Sequence, residues 1–246
     1  MPKINSEKTC AIILCGGKGT RLGKKGLKIN KTLINYMNYP LIFHILKYLS
    51  RFNINKVIIP YGYKGLSVKK YINKKFSSKN ILCFDAGINT SIIQRIKKSL
   101  KYVDSSFTNI VILNGDSYYN FDLNRLIDGK LNNNKILINL VCTKLLLNYG
   151  FIEKHKKNKK INFKYGSNSF ESFQDNFGNK NYFYSGLCAV NRDYLIKNIN
   201  ILRENFENEL FNKASKINKL GYIYDDNLFL QVNTEGDLKT LNENYK

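Results

Sequence analysis

Apolar residues fall along the chain in two rhythms. Short runs that are apolar almost without a break, Cys10–Leu14, Lys56–Tyr61, Asn80–Phe84 and Asn109–Leu113, predict strands buried on both faces. Between them lie stretches whose apolar residues recur every three or four positions: Leu41–Leu49, Leu66–Phe76 and Ser91 to about Val103. These predict amphipathic helices, with Pro40 suited to the first helical position of the first one. The second half continues with a short helix Asp122–Leu131, a strand Lys135–Thr143 and a hairpin over Phe151–Lys160 with a charged tip containing His155. A strand Tyr182–Val190, a helix Arg203–Asn218, strands Tyr222–Asp226 and Leu228–Thr234, and a closing helix near Glu235–Asn244 complete the pattern. Strands alternating with helices imply βαβ units. The expected fold is α/β and Rossmann-like: a mixed, mostly parallel sheet with helices on both faces.

In such sheets ligands bind at the carboxyl ends of the strands, and there the chemistry is concentrated. The first strand empties into Gly16-Gly-Lys-Gly-Thr-Arg21. Glycines there remove Cβ atoms that would hold backbone N–H groups away from phosphate oxygens, and they tolerate positive φ. The motif lacks the terminal Gly-Lys-Ser/Thr of a P-loop. It also runs on into Gly23-Lys-Lys-Gly26 instead of the helix a dinucleotide fingerprint requires. It reads as an extended phosphate-cradling loop. The turns Asp85–Thr90 and Gly115-Asp116 follow other strands and share the same crevice. Asp116 is a candidate metal ligand, its plain alternative being a turn or N-cap aspartate. His44, within an apolar helix face, reads as a packed histidine.

Composition narrows the function classes. The 246 residues are 43% apolar, enough for a sizeable core, and the five cysteines are scattered through apolar runs without a C-x-x-C pair, as in a reduced protein. The net charge is +22, but the excess is nearly all lysine, with six arginines, spread beside abundant Asn, Ile and Tyr. That pattern suggests A/T-biased codons, and nucleic acid is not the expected partner. No apolar segment is long enough to span a membrane and Met1–Lys8 lacks a signal-peptide core, so a cytoplasmic location without membrane attachment is expected.

Taken together, the loop, a lysine ten residues beyond Arg21 and the Gly115-Asp116 turn resemble the sugar-1-phosphate nucleotidyltransferase family, which opens with Gly-Gly-x-Gly-Thr-Arg-Leu and then Pro-Lys-Pro. The Gly62-Tyr-Lys-Gly65 turn and the segment Asp85-Ala-Gly-Ile-Asn-Thr-Ser-Ile-Ile-Gln-Arg95 are most similar to glucose-1-phosphate cytidylyltransferases. Val111–Leu123 also resembles guanylyltransferases acting on heptose or mannose phosphates. The resemblance implies an enzyme that joins a nucleoside triphosphate to a sugar phosphate, releases pyrophosphate and supplies a surface polysaccharide pathway. CTP is favoured, with GTP, dTTP and UTP as alternatives, and Mg²⁺ is the implied cofactor. It implies catalytic roles for Arg21 and Lys31, and nucleotide contacts from Leu14, Gly16, Gly17, Gly19, Thr20, Thr90 and Arg95. Gly186 would meet the sugar, and Asp116 and Asn233 would hold the metal. It also implies one domain over residues 1–246, with a nucleotide-binding half at about 8–130 and an acceptor-binding half at about 131–246. Homo-oligomerisation is left open.

Five positions depart from the family pattern. Asn30 and Thr32 replace the prolines that flank the lysine. Asn233 stands where an aspartate is usual, as it does in N-acetylglucosamine-1-phosphate uridylyltransferases. Asn176 replaces a sugar-phosphate lysine, a role Lys180 could take over. Tyr184-Ser-Gly186 replaces an Asn-x-Gly turn. Two alternatives therefore accompany the main reading: the same chemistry on a non-sugar phosphate acceptor, and a noncatalytic nucleotide-binding homologue.

Overall fold

The computed structural model describes residues 8–19, 28–54, 56–76, 79–127, 131, 133–154, 161–170, 172–174, 180–234 and 236–237. Its centre is a sheet in the order β5 (Ile81–Asp85), β4 (Lys56–Tyr61), β1 (Thr9–Leu14), β6 (Asn109–Asn114), β11 (Lys180–Asn191), β8 (Ile138–Lys154), β12 (Leu220–Gln231) and β7 (Ser117–Tyr118). The first four are parallel. β11 is antiparallel to both neighbours, and β12 returns parallel to β8. The sheet is thus mixed and mostly parallel, as expected. β9 (Ile161–Phe170) pairs antiparallel with β8, and β10 (Ser172–Gln174) with β11. A small hairpin, β2 (Asn35–Tyr36) and β3 (Tyr39–Pro40), stands apart.

The uninterrupted apolar runs have a direct cause: β1 is covered on both sides. Ala11 and Ile13 belong to one core with α1 (Leu41–Ser50) and α2 (Gly65–Lys75), through Ile42, Ile45, Val68 and Ile72. Cys10 and Ile12 belong to the other, with α3 (Ile92–Leu100), α5 (Arg192–Ile199) and α6 (Phe206–Lys216), through Ile96, Leu195 and Leu210. Alternate residues of one strand therefore hold helices on opposite faces. A capping box starts α3, with Ser91 Oγ accepting from Gln94 N and Gln94 Oε1 accepting from Ser91 N. Among the described residues no helix is long and apolar enough to cross a membrane.

Several boundaries differ from the sequence reading. Pro40 is the N-cap of α1, one residue before the position expected, because it also ends β3. Of the helix expected over Asp122–Leu131, the described residues show one turn, α4 (Leu123–Leu126), with Asp122 as its N-cap, and a helical Leu131; residues 128–130 lie outside them. The strand expected at Lys135–Thr143 runs on to Lys154 and forms one arm of the hairpin, its Lys154 opposite Ile161 of β9. The tip of that hairpin, with His155, lies outside the described residues, as does nearly all of the closing helix. The two strands expected at Tyr222–Asp226 and Leu228–Thr234 are one. β12 carries its ladder past Asp225, Asp226 and Asn227 by a register shift between Asp225 and Leu228. Helix α5 was not expected: it follows β11 with no turn residues, Asn191 serving as both strand end and N-cap.

Candidate active site

Strand ends and turns build the site from below. The carbonyl of Leu14, the last residue of β1, accepts from Gly115 N at 3.1 Å, which ties the root of the glycine loop to the turn that carries Asp116. The approach is too close for any side chain: a Cβ on Gly115 would lie 2.7 Å from Cys15 Sγ and 2.9 Å from Leu14 O. Gly16 is required for a different reason. The Arg95 side chain crosses beneath it, and a Cβ at 16 would sit 2.0 Å from Arg95 Nε. Gly17 has nothing within 4 Å of its missing Cβ, so this glycine leaves the loop surface bare where a phosphate would approach. Gly19 adopts φ 65°.

Arg95 is 7% exposed, and its Nη2 donates to Gly16 O at 3.1 Å and to Gly87 O at 3.4 Å. Thr90 Oγ1 donates to the same Gly87 carbonyl at 2.8 Å, which closes the 85–90 turn on itself, and Arg95 ties that turn to the loop. Among the described residues no carboxylate faces Arg95, and burial pushes its pKa below the ordinary arginine value. A guanidinium so far above neutrality stays charged. The loop therefore lies over an uncompensated positive charge of low mobility, the field a triphosphate would meet.

Lys31 is placed by Asn30. This asparagine, 1% exposed, spends its whole amide on backbone and side chain. Its Nδ2 donates to Cys15 O at 3.2 Å and Tyr63 O at 2.7 Å, while its Oδ1 accepts from Thr32 N at 3.0 Å and Thr32 Oγ1 at 2.9 Å. Asn30 caps the 3₁₀ turn Lys31–Leu33, so the residues replacing the two family prolines clamp the lysine segment by hydrogen bonds.

The Lys31 ammonium meets Asp116 Oδ2 at 3.1 Å and Asn233 Oδ1 at 3.0 Å. These residues come from three distant segments, and they converge because β7 pairs with the end of β12. Val232 N donates to Asp116 O at 2.9 Å, and Asp237 Oδ2 accepts from Asn233 N at 2.8 Å and Thr234 N at 2.7 Å. Gln231 joins the group: its Nε2 donates to Asp116 Oδ1 at 3.1 Å and its Oε1 accepts from Asn233 Nδ2 at 3.0 Å. Neither Gln231 nor the Asn30 clamp was singled out from sequence. Among the described residues no group of three His, Cys, Asp or Glu could hold a metal. Asp116 and Asn233 nonetheless present two hard oxygens to a cation the protein itself supplies. One or two such ligands, completed by substrate phosphates, is the set Mg²⁺ ordinarily takes.

Gly186 lies at the same end of the sheet, where the β11–β8 register shifts between Tyr184 and Cys188. Its φ is 74°, and a Cβ there would come 2.3 Å from Asn114 Nδ2 at the end of β6. Leu14, Gly16, Gly17, Gly19, Lys31, Thr90, Arg95, Asp116, Gly186 and Asn233 are therefore all at the ligand-binding end or its turns. Thr20, Arg21 and Asn176 lie outside the described residues, and of Lys180 only the backbone is described. His44 is half-buried, donates from Nε2 to Tyr36 O at 2.7 Å and packs against the Tyr36 and Tyr118 rings, the packed role expected of it.

The chain is similar to several known proteins. Over 229 residues the chain is 28% identical to the D-glycero-alpha-D-manno-heptose 1-phosphate guanylyltransferase of Campylobacter jejuni, covering 92% of this chain and 96% of that one. It is 28% identical over 142 residues to the glucose-1-phosphate cytidylyltransferase of Salmonella typhimurium, covering 48% of this chain and 54% of that one. A solved structure of a Bacillus anthracis protein, assigned as a glucose-1-phosphate thymidylyltransferase, superposes with a TM-score of 0.73 at 18% identity, covering 96% of this chain and 94% of that one. The family model described as Nucleotidyl transferase matches residues 10–165, from the first residues of β1 through the glycine loop, Lys31, Arg95 and Asp116. Because that match spans more than half of the chain, this chain belongs to the nucleotidyl transferase family.

Proposed function

We propose that the protein joins a nucleoside triphosphate to a sugar 1-phosphate and releases pyrophosphate, making a nucleotide-activated sugar for surface polysaccharide synthesis. The observation that carries this reading is the convergence of Lys31 with Asp116 and Asn233 beside the glycine loop. An oxygen of the sugar phosphate attacks the α-phosphorus, the new P–O bond forms, and the bond to the departing pyrophosphate breaks. Two anions meet and charge accumulates on the transferring group, so cations placed in advance lower the barrier most.

Lys31 is held close to the reacting phosphates, where its ammonium serves both the acceptor phosphate and the α-phosphate. The loop amides and the buried Arg95 charge hold the triphosphate, with Arg21 assigned to the same task by resemblance. Asp116 and Asn233 would hold Mg²⁺, which would supply positive charge to neutralise the phosphates. Gly186 is assigned to the sugar by resemblance. No covalent enzyme intermediate is needed. Because β8, β11 and β12 extend the sheet begun by β1, β4, β5 and β6, we read residues 1–246 as one domain in two halves.

The Asp85–Arg95 segment favours CTP, while the relative aligned over nearly the full chain is a guanylyltransferase. Incubation with each nucleoside triphosphate, Mg²⁺ and a panel of sugar 1-phosphates, with pyrophosphate measured, tests the proposal. Release is expected with one base over the others and only when a sugar 1-phosphate is present. Tight nucleotide binding with no release for any acceptor would sink the catalytic reading in favour of a noncatalytic nucleotide binder.

A further inference from the structure

We infer that Gln231 is a positioning residue that sets which atoms of Asp116 and Asn233 face the cation, and that it thereby lets an asparagine stand where a second carboxylate is usual. The inference rests on the reading of Asp116 and Asn233 as metal ligands. Four side chains form a closed ring of four hydrogen bonds: Lys31 Nζ to Asp116 Oδ2 (3.1 Å), Gln231 Nε2 to Asp116 Oδ1 (3.1 Å), Asn233 Nδ2 to Gln231 Oε1 (3.0 Å) and Lys31 Nζ to Asn233 Oδ1 (3.0 Å).

The direction of every bond in the ring is forced. An ionised carboxylate only accepts, so the nitrogen of Gln231 must face Asp116. Its oxygen then faces Asn233 and must receive a hydrogen, which turns the nitrogen of Asn233 toward Gln231. The oxygen of Asn233 is left pointing at the ammonium, which only donates. Flipping either amide would place like atoms against each other at two points of the ring. A free asparagine would have to be turned oxygen-first by the cation itself, whereas here the ring has already set that orientation. The backbones on both sides are already fixed, by Val232 N on Asp116 O and by Asp237 on the Asn233 and Thr234 amides, so the amide polarity is the freedom that remained.

The same geometry disfavours an aspartate at 233. Gln231 has one amide nitrogen aimed into this ring, and in either orientation its oxygen would lie against a carboxylate oxygen with no hydrogen between them. Gln231 and Asn233 are therefore matched. Together they keep a single carboxylate, that of Asp116, within the ring, where the Lys31 ammonium meets it.

Mn²⁺ binding, followed by the paramagnetic signal of the free ion with and without nucleotide, tests the match without reference to turnover. Gln231→Met, similar in shape but unable to hold the amide polarity, should weaken Mn²⁺ binding about 10-fold, in the range found for residues that orient metal ligands. Asn233→Asp alone should fail to tighten Mn²⁺ despite its added charge. In the Gln231→Met background the same Asn233→Asp change should restore binding, because a carboxylate offers oxygen in both orientations. Circular dichroism melts establish that each variant is folded. Should the double variant fail to fold, the Asn233→Asp arm decides alone. Unchanged affinity in Gln231→Met, or a 10-fold gain from Asn233→Asp with Gln231 intact, would overturn the inference. Wild-type protein that binds nucleotide but no Mn²⁺ would overturn the metal reading itself, and this inference with it. That outcome is distinguished by appearing before any substitution is made.

Discussion

Replacing Asn30 by alanine removes four hydrogen bonds at once and touches no expected ligand, so it isolates the clamp beneath Lys31. Thr32 N, Thr32 Oγ1 and Cys15 O are buried and would be left without their partner, and Tyr63 O is partly so. Leaving a buried polar group unsatisfied costs about 1–3 kcal/mol. Tyr63 O can recover a water and Thr32 Oγ1 can rotate, so an average near the low end over four partners gives about 4 kcal/mol. For a chain of this size that corresponds to a fall in melting temperature of about 10 °C. Urea unfolding at fixed pH measures it. Asn30→Asp supplies an internal control: it keeps the acceptor for Thr32 but turns an anionic oxygen toward the carbonyls of Cys15 and Tyr63. A carboxyl so placed has its pKa raised in the folded state, so the aspartate variant should gain stability as pH falls through that pKa, while the alanine variant shows no such dependence. A loss below about 1 kcal/mol in Asn30→Ala, or a flat pH response in Asn30→Asp, would refute the clamp.

Gly16→Ala should cost about 2 kcal/mol and weaken nucleotide binding at least about 10-fold by driving Arg95 from beneath the loop, since its Cβ would sit 2.0 Å from Arg95 Nε; calorimetric titration with each nucleoside triphosphate checks this. Asp116→Ala should abolish pyrophosphate release and lower stability by about 3 kcal/mol, because it leaves the buried Lys31 ammonium without its counter-charge; unchanged turnover in folded protein would exclude Asp116 as the essential metal ligand. Burial pushes the thiols of Cys83 and Cys142 up to about 11 and those of Cys10 and Cys188 to about 12, so at pH 8 native protein should react with a thiol reagent about 100-fold more slowly than unfolded chain. These thiols hold their protons more tightly when folded, and the stability this gives should be intact below about pH 9 and lost as pH rises through 11 to 12.

The first half of the sheet was legible because strands buried on both faces carry an apolar signal that no surface element imitates. β4 has the bounds read from sequence, and the other three strands of that half fall within a residue or so of theirs. The candidate site was legible to the extent that its residues follow strand ends: Asp116 and the glycine loop share a crevice because of where their strands stop. What was missed depends on pairing between distant segments. Asp225, Asp226 and Asn227 look like a break between two strands, and only the neighbour β8 shows that the ladder continues across them. The hairpin of β2 and β3 is two residues on each arm, too short for an alternation to register. Asn30 looked like a lost proline, since nothing local reveals that Cys15 O and Tyr63 O need a donor. Gln231 looked like one more strand residue until β7 brought Asp116 beside it.

The pairing of β7 with β12 also orders events in time. As the chain leaves the ribosome, β1, β4, β5 and β6 emerge early and can pack with the helices beside them, since their partners lie within about the first half of the sequence. Lys31 and Asp116 are then present, but Gln231, which ends β12, and Asn233, two residues beyond it, emerge more than a hundred residues later. A nascent chain can thus carry the glycine loop and most of the parallel sheet while the cation-holding ring is still open. On the proposed function, chemistry therefore awaits the arrival of β12 between β8 and β7.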